Sequence, residues 1–492
     1  MRLAQSLAGQ TAIYGLGTMV PRFLNYLITP YLTYSFSTSE YGINTELFAY
    51  ISFFNILFTY GFETAFFNFQ KNTDPERVFS TGFWSLFFSA VIFGGLLCWV
   101  VPVASQLLSN SNARYNTTFL YWCVGILVTD AWSALPFAKL RSEQKAMLFS
   151  GLKILNVLIN LGLTLFFLTY CRTLHLEHSN SFWARWYQPE IGIGYVFLAT
   201  LFANFCTALL AIAYQWPIAF YMDWTLWKKM WRYAWPLVVL GIAAMINDTL
   251  DKVLLKVLMQ NPAEAQKAQG IYGACNKLAV MMSIFIQAFR YAYEPYFFKQ
   301  SGNQNAPQQH ARIMTLFIAF CCCIFLVITM NLSWIKYFIG TEAYREGLST
   351  VPILLFAYMM LGIVYNLSIW YKLGQKTAYG AYIALVGASV TLLVNGIFMP
   401  RFGYWAAAWA TFMAYAAMLL LSYFWGKRFN PIPYKIKTIG GYIGLTLLIF
   451  FIGRYLPSWN PLETKWILNN LFIILFVGIV YHFEIRKHGG TR

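Results

Sequence analysis

The chain has 492 residues, of which 59% are hydrophobic and only 11% charged. A soluble globular protein carries about 25% charged and about 45–50% apolar residues, so a purely soluble protein is excluded. Lys and Arg (35) outnumber Asp and Glu (18), for a formal charge of +17. The cations sit in short gaps between long apolar runs, so the excess reads as membrane topology and not as nucleic-acid binding. The eight cysteines lie in or at the ends of apolar segments without CxxC spacing. Neither a disulfide framework nor a metal site is expected from them. No Gly-rich nucleotide loop, Ser/His/Asp or Cys/His constellation appears, so no cofactor is expected.

A helix crosses the hydrocarbon in about 20 residues. Fourteen spans are expected, at roughly 12–35, 43–66, 79–103, 117–138, 150–171, 193–219, 233–258, 270–298, 313–333, 350–370, 377–399, 404–425, 438–456 and 466–484. Only Arg2 precedes the first apolar stretch, which reads as a retained helix and not a cleaved signal peptide. With the N-terminus inside, twenty Lys and Arg fall in cytoplasmic gaps and nine in the opposite ones. The positive-inside rule then places both termini in the cytoplasm, as an even number of spans requires. The longest outer gap, roughly 172–192, is too short for an extramembrane domain. Its His175, Glu177 and His178 lack a metal-site pattern, and Trp183, Trp186 and Tyr187 read as an interfacial belt.

Sliding the sequence by 231 residues aligns Tyr41-Gly42 with Tyr272-Gly273, Glu63 with Glu294, and Phe66-Phe67 with Phe297-Phe298. Ten of 28 pairs are identical between 41/272 and 68/299. The offset covers six spans, an even number, so the two copies enter the membrane in the same direction. Parallel repeats of this kind characterise alternating-access transporters. The expected fold is all-α and polytopic, with about 14 transmembrane helices. Residues 1–225 form the first six-helix lobe, 226–427 the second, and 428–492 an added helix pair with its tail.

A charged side chain inside the bilayer costs about 2.5–3.5 kcal/mol even on the mild insertion scale, so it normally faces a cavity or a partner. In chain order, Arg22 lies mid-span after Pro21 and aligns within one residue of Lys252 under the repeat. It reads either as an anion-binding cation or as a structural partner of Asp130 or Asp248. Glu46 and Lys277, opposite in sign at equivalent positions, are a candidate pair across the lobes, and Glu63 lies near the end of its span. Asp130 reads as a counter-ion, a proton carrier or a neutral carboxyl. Lys153 reads as a snorkelling lysine. The seventh span groups Asp248, Asp251, Lys252 and Lys256 on an arc of roughly 140° at 100° per residue. That face either lines a water-filled cavity or forms an intrahelical ladder, with Asp248–Lys252 paired and Lys256 snorkelling outward. Arg290 and Glu294 stack at i,i+4 before Pro295.

Fourteen spans, the six-plus-six repeat, and the stretches SEYGINTELFAYISFFNILFTYGFETAFF and NDTLDKVLL…QGIYGACNKLAVMMSIFIQAFRYAYEPYFF resemble polysaccharide exporters. These are the O-antigen-type flippases of the multidrug/oligosaccharidyl-lipid/polysaccharide (MOP) superfamily, related to the lipid II flippase. The resemblance implies a two-lobe fold in a bacterial inner membrane and outward flipping of an oligosaccharide on an undecaprenyl pyrophosphate carrier. It also implies that Arg22 contacts the pyrophosphate. On this reading the substrate-binding cations are Arg22, Lys252, Lys256 and Arg290. The cavity or coupling carboxylates are Asp130, Asp248, Asp251, Glu63 and Glu294, and H+ or Na+ is the coupling ion. The partners are then the lipid-linked oligosaccharide and membrane lipids. A cation-coupled drug exporter would want a net-anionic cavity, whereas the spans hold six basic and six acidic residues. A membrane polymerase or ligase would want a sizeable catalytic loop, which no gap supplies.

Overall fold

Hydrocarbon offers backbone amides no partner, so a chain this apolar satisfies them within helices. The computed structural model describes residues 7–108, 116–177, 181–300, 305–373, 376–455 and 462–486. Most of these residues are helical, and there is no strand among them. The first half holds α1 (Leu7–Ser35), α2 (Thr38–Thr59), α3 (Phe62–Phe69), α4 (Pro75–Leu108), α5 (Thr117–Ser142), α6 (Ala146–Leu165) and α7 (Tyr195–Gln215). Then follow α8 (Trp224–Asp248), α9 (Leu250–Leu258), α10 (Pro262–Gln300), α11 (Ala306–Met330) and α12 (Val351–Leu367). The last four are α13 (Thr377–Phe402), α14 (Tyr404–Phe429), α15 (Ile436–Tyr455) and α16 (Leu462–Val480). The termini, expected in the cytoplasm, lie outside the described residues.

Eleven helical stretches among the described residues are long and apolar enough to cross a membrane, short of the fourteen expected. The first, second and seventh expected spans are absent from that set, each for a physical reason. Helix α1 carries Arg22, Asn25 and two internal prolines, Pro21 and Pro30, which lower its hydropathy. The second span is cut at Tyr60 and Gly61, whose φ values of 31° and 72° are left-handed. Gly61 takes that conformation without a Cβ penalty. The seventh span is cut at Thr249, inside the polar run Asn247-Asp248-Thr249. The helices that fail the hydropathy test are therefore those that carry mid-span polar groups or a break.

Packing divides the chain into two compact units, Met1–Gly273 with Met399–Gly403, and Ala274–Phe398 with Tyr404–Arg492. In the first unit α5 packs on α4 and α7, and α6 on α1 and α7, while α8 packs on α2, α3 and α4. Lipid tails are as apolar as leucine, so close approach through small residues replaces the hydrophobic drive. Ala199, Ala203, Thr207 and Ala211, four residues apart along α7, are each buried accordingly. In the second unit, the buried Ala406, Ala407, Ala410, Thr411 and Ala414 of α14 provide the same surface for α12. The C-terminal pair α15 and α16 packs on α11, where the Asn469 amide donates to the Met330 carbonyl at 2.6 Å.

Candidate functional site

Arg22 is exposed on α1. Its helical face continues through Tyr26, Thr29 and Thr33, which are 6%, 1% and 0% exposed. Phe23, Leu27 and Tyr34, on a different side of the helix at 100° per residue, present a separate apolar exposed face. Arg22 thus lies at the exposed end of a buried stripe. Among the described residues it forms no ion pair with Asp130, Asp248 or any other carboxylate.

The break at Thr249 separates the charges of α8 from those of α9. Asp248, at the end of α8, is exposed. The Lys252 ammonium donates to the Asp248 backbone carbonyl at 3.2 Å, not to its carboxylate, so in place of the i,i+4 ion pair that the ladder alternative required it caps the α8 C-terminus. The Lys252 carbonyl in turn accepts from the Gln269 amide of α10 at 2.7 Å. Asp251 turns inward and is 5% exposed. One of its oxygens accepts from the Tyr272 hydroxyl at 2.5 Å and the other from the Lys252 backbone N–H at 2.8 Å. Lys256 does not snorkel outward. Its ammonium lies 3.2 Å from a Glu46 carboxylate oxygen, with side chains 12% and 0% exposed. Tyr50 donates a second hydrogen bond to Glu46 at 3.1 Å.

These contacts tie α2, α9 and the start of α10 into one polar knot. The same helices cross without room for a side chain. A Cβ on Gly270 would lie 1.8 Å from the Thr38 carbonyl oxygen, and one on Gly42 would lie 2.3 Å from that of Gln266. A Cβ on Gly273 would meet Thr45 Oγ1 at 2.5 Å. The Tyr-Gly dipeptides matched by the repeat thus meet at one crossing.

A second polar cluster lies among α5, α6 and α7. Asp130 accepts from the Asn204 amide at 2.7 Å, and Asn204 accepts from the Asn156 amide at 2.9 Å. Asn156 also donates to Thr207 at 3.1 Å, and one turn on Asn160 donates to Thr200 at 3.0 Å. Lys153, expected to snorkel, is half-buried, and its ammonium sits 4.1 Å from the Phe137 ring centroid. Glu63 is bound to Arg141, a hydrogen-bonded ion pair between α3 and α5. Arg290 stands 4.0 Å over the Tyr365 ring in the second unit. The Glu294 side chain lies outside the described residues.

Sequence reading missed the Glu46–Lys256 pair and the amide chain Asn156–Asn204–Asp130. A signal for the second existed. Asn156, Asn160 and Thr164 recur every four residues on α6, and Thr200, Asn204 and Thr207 share a face of α7.

At the polar end of α8, outside the spans, Asp223 caps the helix. Its carboxyl is held below the usual carboxylate range by the backbone N–H groups of Leu226 and Thr225 and by Arg77, whose guanidinium lies 2.7 Å away.

A family model described as polysaccharide biosynthesis protein matches residues 7–301, more than half of the chain. No match was found among curated proteins. Among solved structures, the lipid II flippase MurJ in an inward closed conformation superposes with a TM-score of 0.71 at 13% identity, over 96% of this chain and 99% of that one. An inward-facing multidrug resistance MATE family transporter of the MOP superfamily gives a TM-score of 0.59 at 10% identity, covering 89% of this chain and 96% of that one. An outward-facing conformation of a MATE family transporter of the same superfamily gives 0.58 at 11% identity, covering 90% and 98%. Identities this low establish the fold alone. That fold agrees with the resemblance to the MOP superfamily read from the sequence. The chain is a multi-pass membrane protein with the fold of these transporters, and by its match over residues 7–301 it belongs to the polysaccharide biosynthesis protein family.

Proposed function

We propose that the protein is an alternating-access flippase and not an enzyme. It moves an undecaprenyl-pyrophosphate-linked oligosaccharide from the inner to the outer leaflet of the bacterial inner membrane, with both termini in the cytoplasm. Residues 1–225 and 226–427 act as its two lobes, and α15 with α16 grooves the lipid tail. The observation that carries this reading is Arg22, exposed on α1 in line with the buried Tyr26, Thr29 and Thr33 and without an ion-pair partner among the described residues. Its planar fork matches phosphate geometry. Lys252, half-buried beyond the Thr249 break, adds a second cation for the pyrophosphate. Lys256 is engaged by Glu46 and supports the site indirectly, while Arg290 stands over Tyr365 within the second unit.

The energetics are sufficient in outline. Moving one charge through 100 mV is worth about 2.3 kcal/mol, so a substrate with two negative charges gains about 4–5 kcal/mol on leaving an inside-negative cell. Depleting the protein in its native cell tests the reading. Lipid-linked oligosaccharide should then accumulate out of reach of an external, membrane-impermeant oxidant while surface polysaccharide disappears. Unchanged surface polysaccharide with normal lipid distribution would refute it.

A further inference from the structure

Near the start of α8, cations of the first unit meet acids. Arg77 pairs with Asp223, Lys139 with Glu76, Arg141 with Glu63 and Lys145 with Glu143. Lys228, Lys229 and Arg232, in the first turns of α8 itself, differ. All three are exposed and form no ion pair among the described residues. At 100° per residue, Leu226, Met230 and Ala234 share one side of the helix, and Trp224, Lys228, Trp231, Arg232 and Trp235 the opposite one. The first side is core, with exposures of 6%, 0% and 0%. The second is open, with Trp224 at 61% and Trp235 at 56%. Its backing is fixed. Trp227 Nε1 donates to Ser85 Oγ at 2.7 Å, and Trp231 stacks on Trp227 at 5.9 Å between centroids and meets the Tyr60 ring at 5.4 Å. The apolar run resumes only at Pro236-Leu237-Val238-Val239-Leu240, so the cations precede it, at the depth of the headgroups.

We infer that the first turns of α8 are a binding site for an anionic phospholipid of the surrounding leaflet. The phosphate headgroup rests on Lys228, Lys229 and Arg232, and the acyl chains run along Trp224, Trp231 and Trp235. Charge complementarity selects this occupant. Three adjacent cations without acids attract a net-negative headgroup, whereas a zwitterionic one brings an ammonium that they repel. The Arg232 fork donates to phosphate oxygens in pairs. The lysine stems lie along apolar rings while their ammonium groups reach the headgroup. Indole rings are at home at this depth, with one edge apolar and one N–H donor. The site uses neither Arg22 nor the transported substrate.

The test uses the full chain in a non-ionic detergent, titrated with dioleoylphosphatidylglycerol or, as the zwitterionic control, dioleoylphosphatidylcholine. Native mass spectrometry counts the lipids retained. The wild type should retain phosphatidylglycerol in preference to phosphatidylcholine, and more weakly as salt rises. Its affinity should fall about fivefold for each cation removed, and about 100-fold in Lys228→Gln/Lys229→Gln/Arg232→Gln. Removing three exposed cations of the second unit, in Lys427→Gln/Arg428→Gln/Lys437→Gln, should leave that affinity unchanged. Equal retention of the two lipids, or equal loss in the two triple variants, overturns the proposal. If the α8 triple variant does not fold, Arg232→Gln and the salt series decide, and an affinity that neither one moves overturns it as well. Displacement of the bound phosphatidylglycerol by one equivalent of undecaprenyl pyrophosphate would assign the site to the substrate lipid and overturn it too. Selective retention of phosphatidylglycerol by a protein that flips nothing would leave this site standing and defeat the flippase reading instead.

Discussion

Lys256 lies 3.2 Å from Glu46, whose side chain is fully buried, and this ion pair fastens the short helix α9 to α2 across the break at Thr249. Removing one partner strands the other charge, which costs about 3–5 kcal/mol, whereas replacing both by apolar groups of similar volume is often neutral. Lys256→Met should therefore lower the melting temperature of the purified protein sharply. Glu46→Leu combined with Lys256→Met should recover most of the loss. A single Lys256→Met variant as stable as the wild type would show that the pair does not hold α9.

The crossing of α2 and α10 makes a steric prediction. Gly270→Ala places a Cβ 1.8 Å from a backbone oxygen that cannot rotate away, so the helices must separate. Overpacking of this kind costs about 1–3 kcal/mol. Gly162 of α6 has nothing within 4 Å of its would-be Cβ. Gly162→Ala should be neutral or stabilising by up to about 1 kcal/mol. Thermal unfolding of the two variants in detergent distinguishes them, and equal behaviour would mean the close approach is absent.

Arg22 separates binding from scaffolding. Charge-assisted hydrogen bonds are worth about 1.5–3 kcal/mol, so Arg22→Ala should weaken pyrophosphate-lipid binding about 10- to 100-fold at normal membrane abundance. Arg22→Lys should retain part of the activity, since the charge survives and the fork is lost. Asp130 bonds to Asn204 and forms no pair with Arg22, so adding Asp130→Ala to Arg22→Ala should rescue nothing. Restored transport in that double variant would make Arg22 a structural partner after all.

Much of the architecture was legible because bilayer thickness and helix length leave few alternatives. Long apolar runs mark spans. The three spans that escaped the hydropathy test did so for a reason the sequence also contains: Arg22 and two prolines on α1, Gly61 after α2, and Asn247-Asp248-Thr249 between α8 and α9. What stayed hidden was which charge meets which. Lys256 looked free to snorkel, since nothing in one helix's periodicity reveals that Glu46, 210 residues away, is buried opposite it. The Asp248–Lys252 spacing permitted an ion pair, and only the break at Thr249 redirects Lys252 to a backbone carbonyl.

The α8 N-terminus should respond to acid. Asp223 has its carboxyl depressed in the folded protein, so the stability it contributes is present above the unfolded value of about 3.9. It is lost as pH falls through the lower folded value. Melting temperature should therefore drop more between neutral and strongly acidic pH in the wild type than in Asp223→Asn. Parallel acid profiles would remove Asp223 from the cap.

The central claim is tested most directly by flipping in a purified system. Proteoliposomes loaded in the inner leaflet with a fluorescent undecaprenyl-pyrophosphate oligosaccharide, under a potential that drives anions outward, should transfer it to the outer leaflet, where an impermeant quencher reaches it. Arg22→Ala vesicles should stay near the protein-free rate. Flipping by the wild type no faster than protein-free vesicles, with export of a cationic dye in its place, would contradict the account.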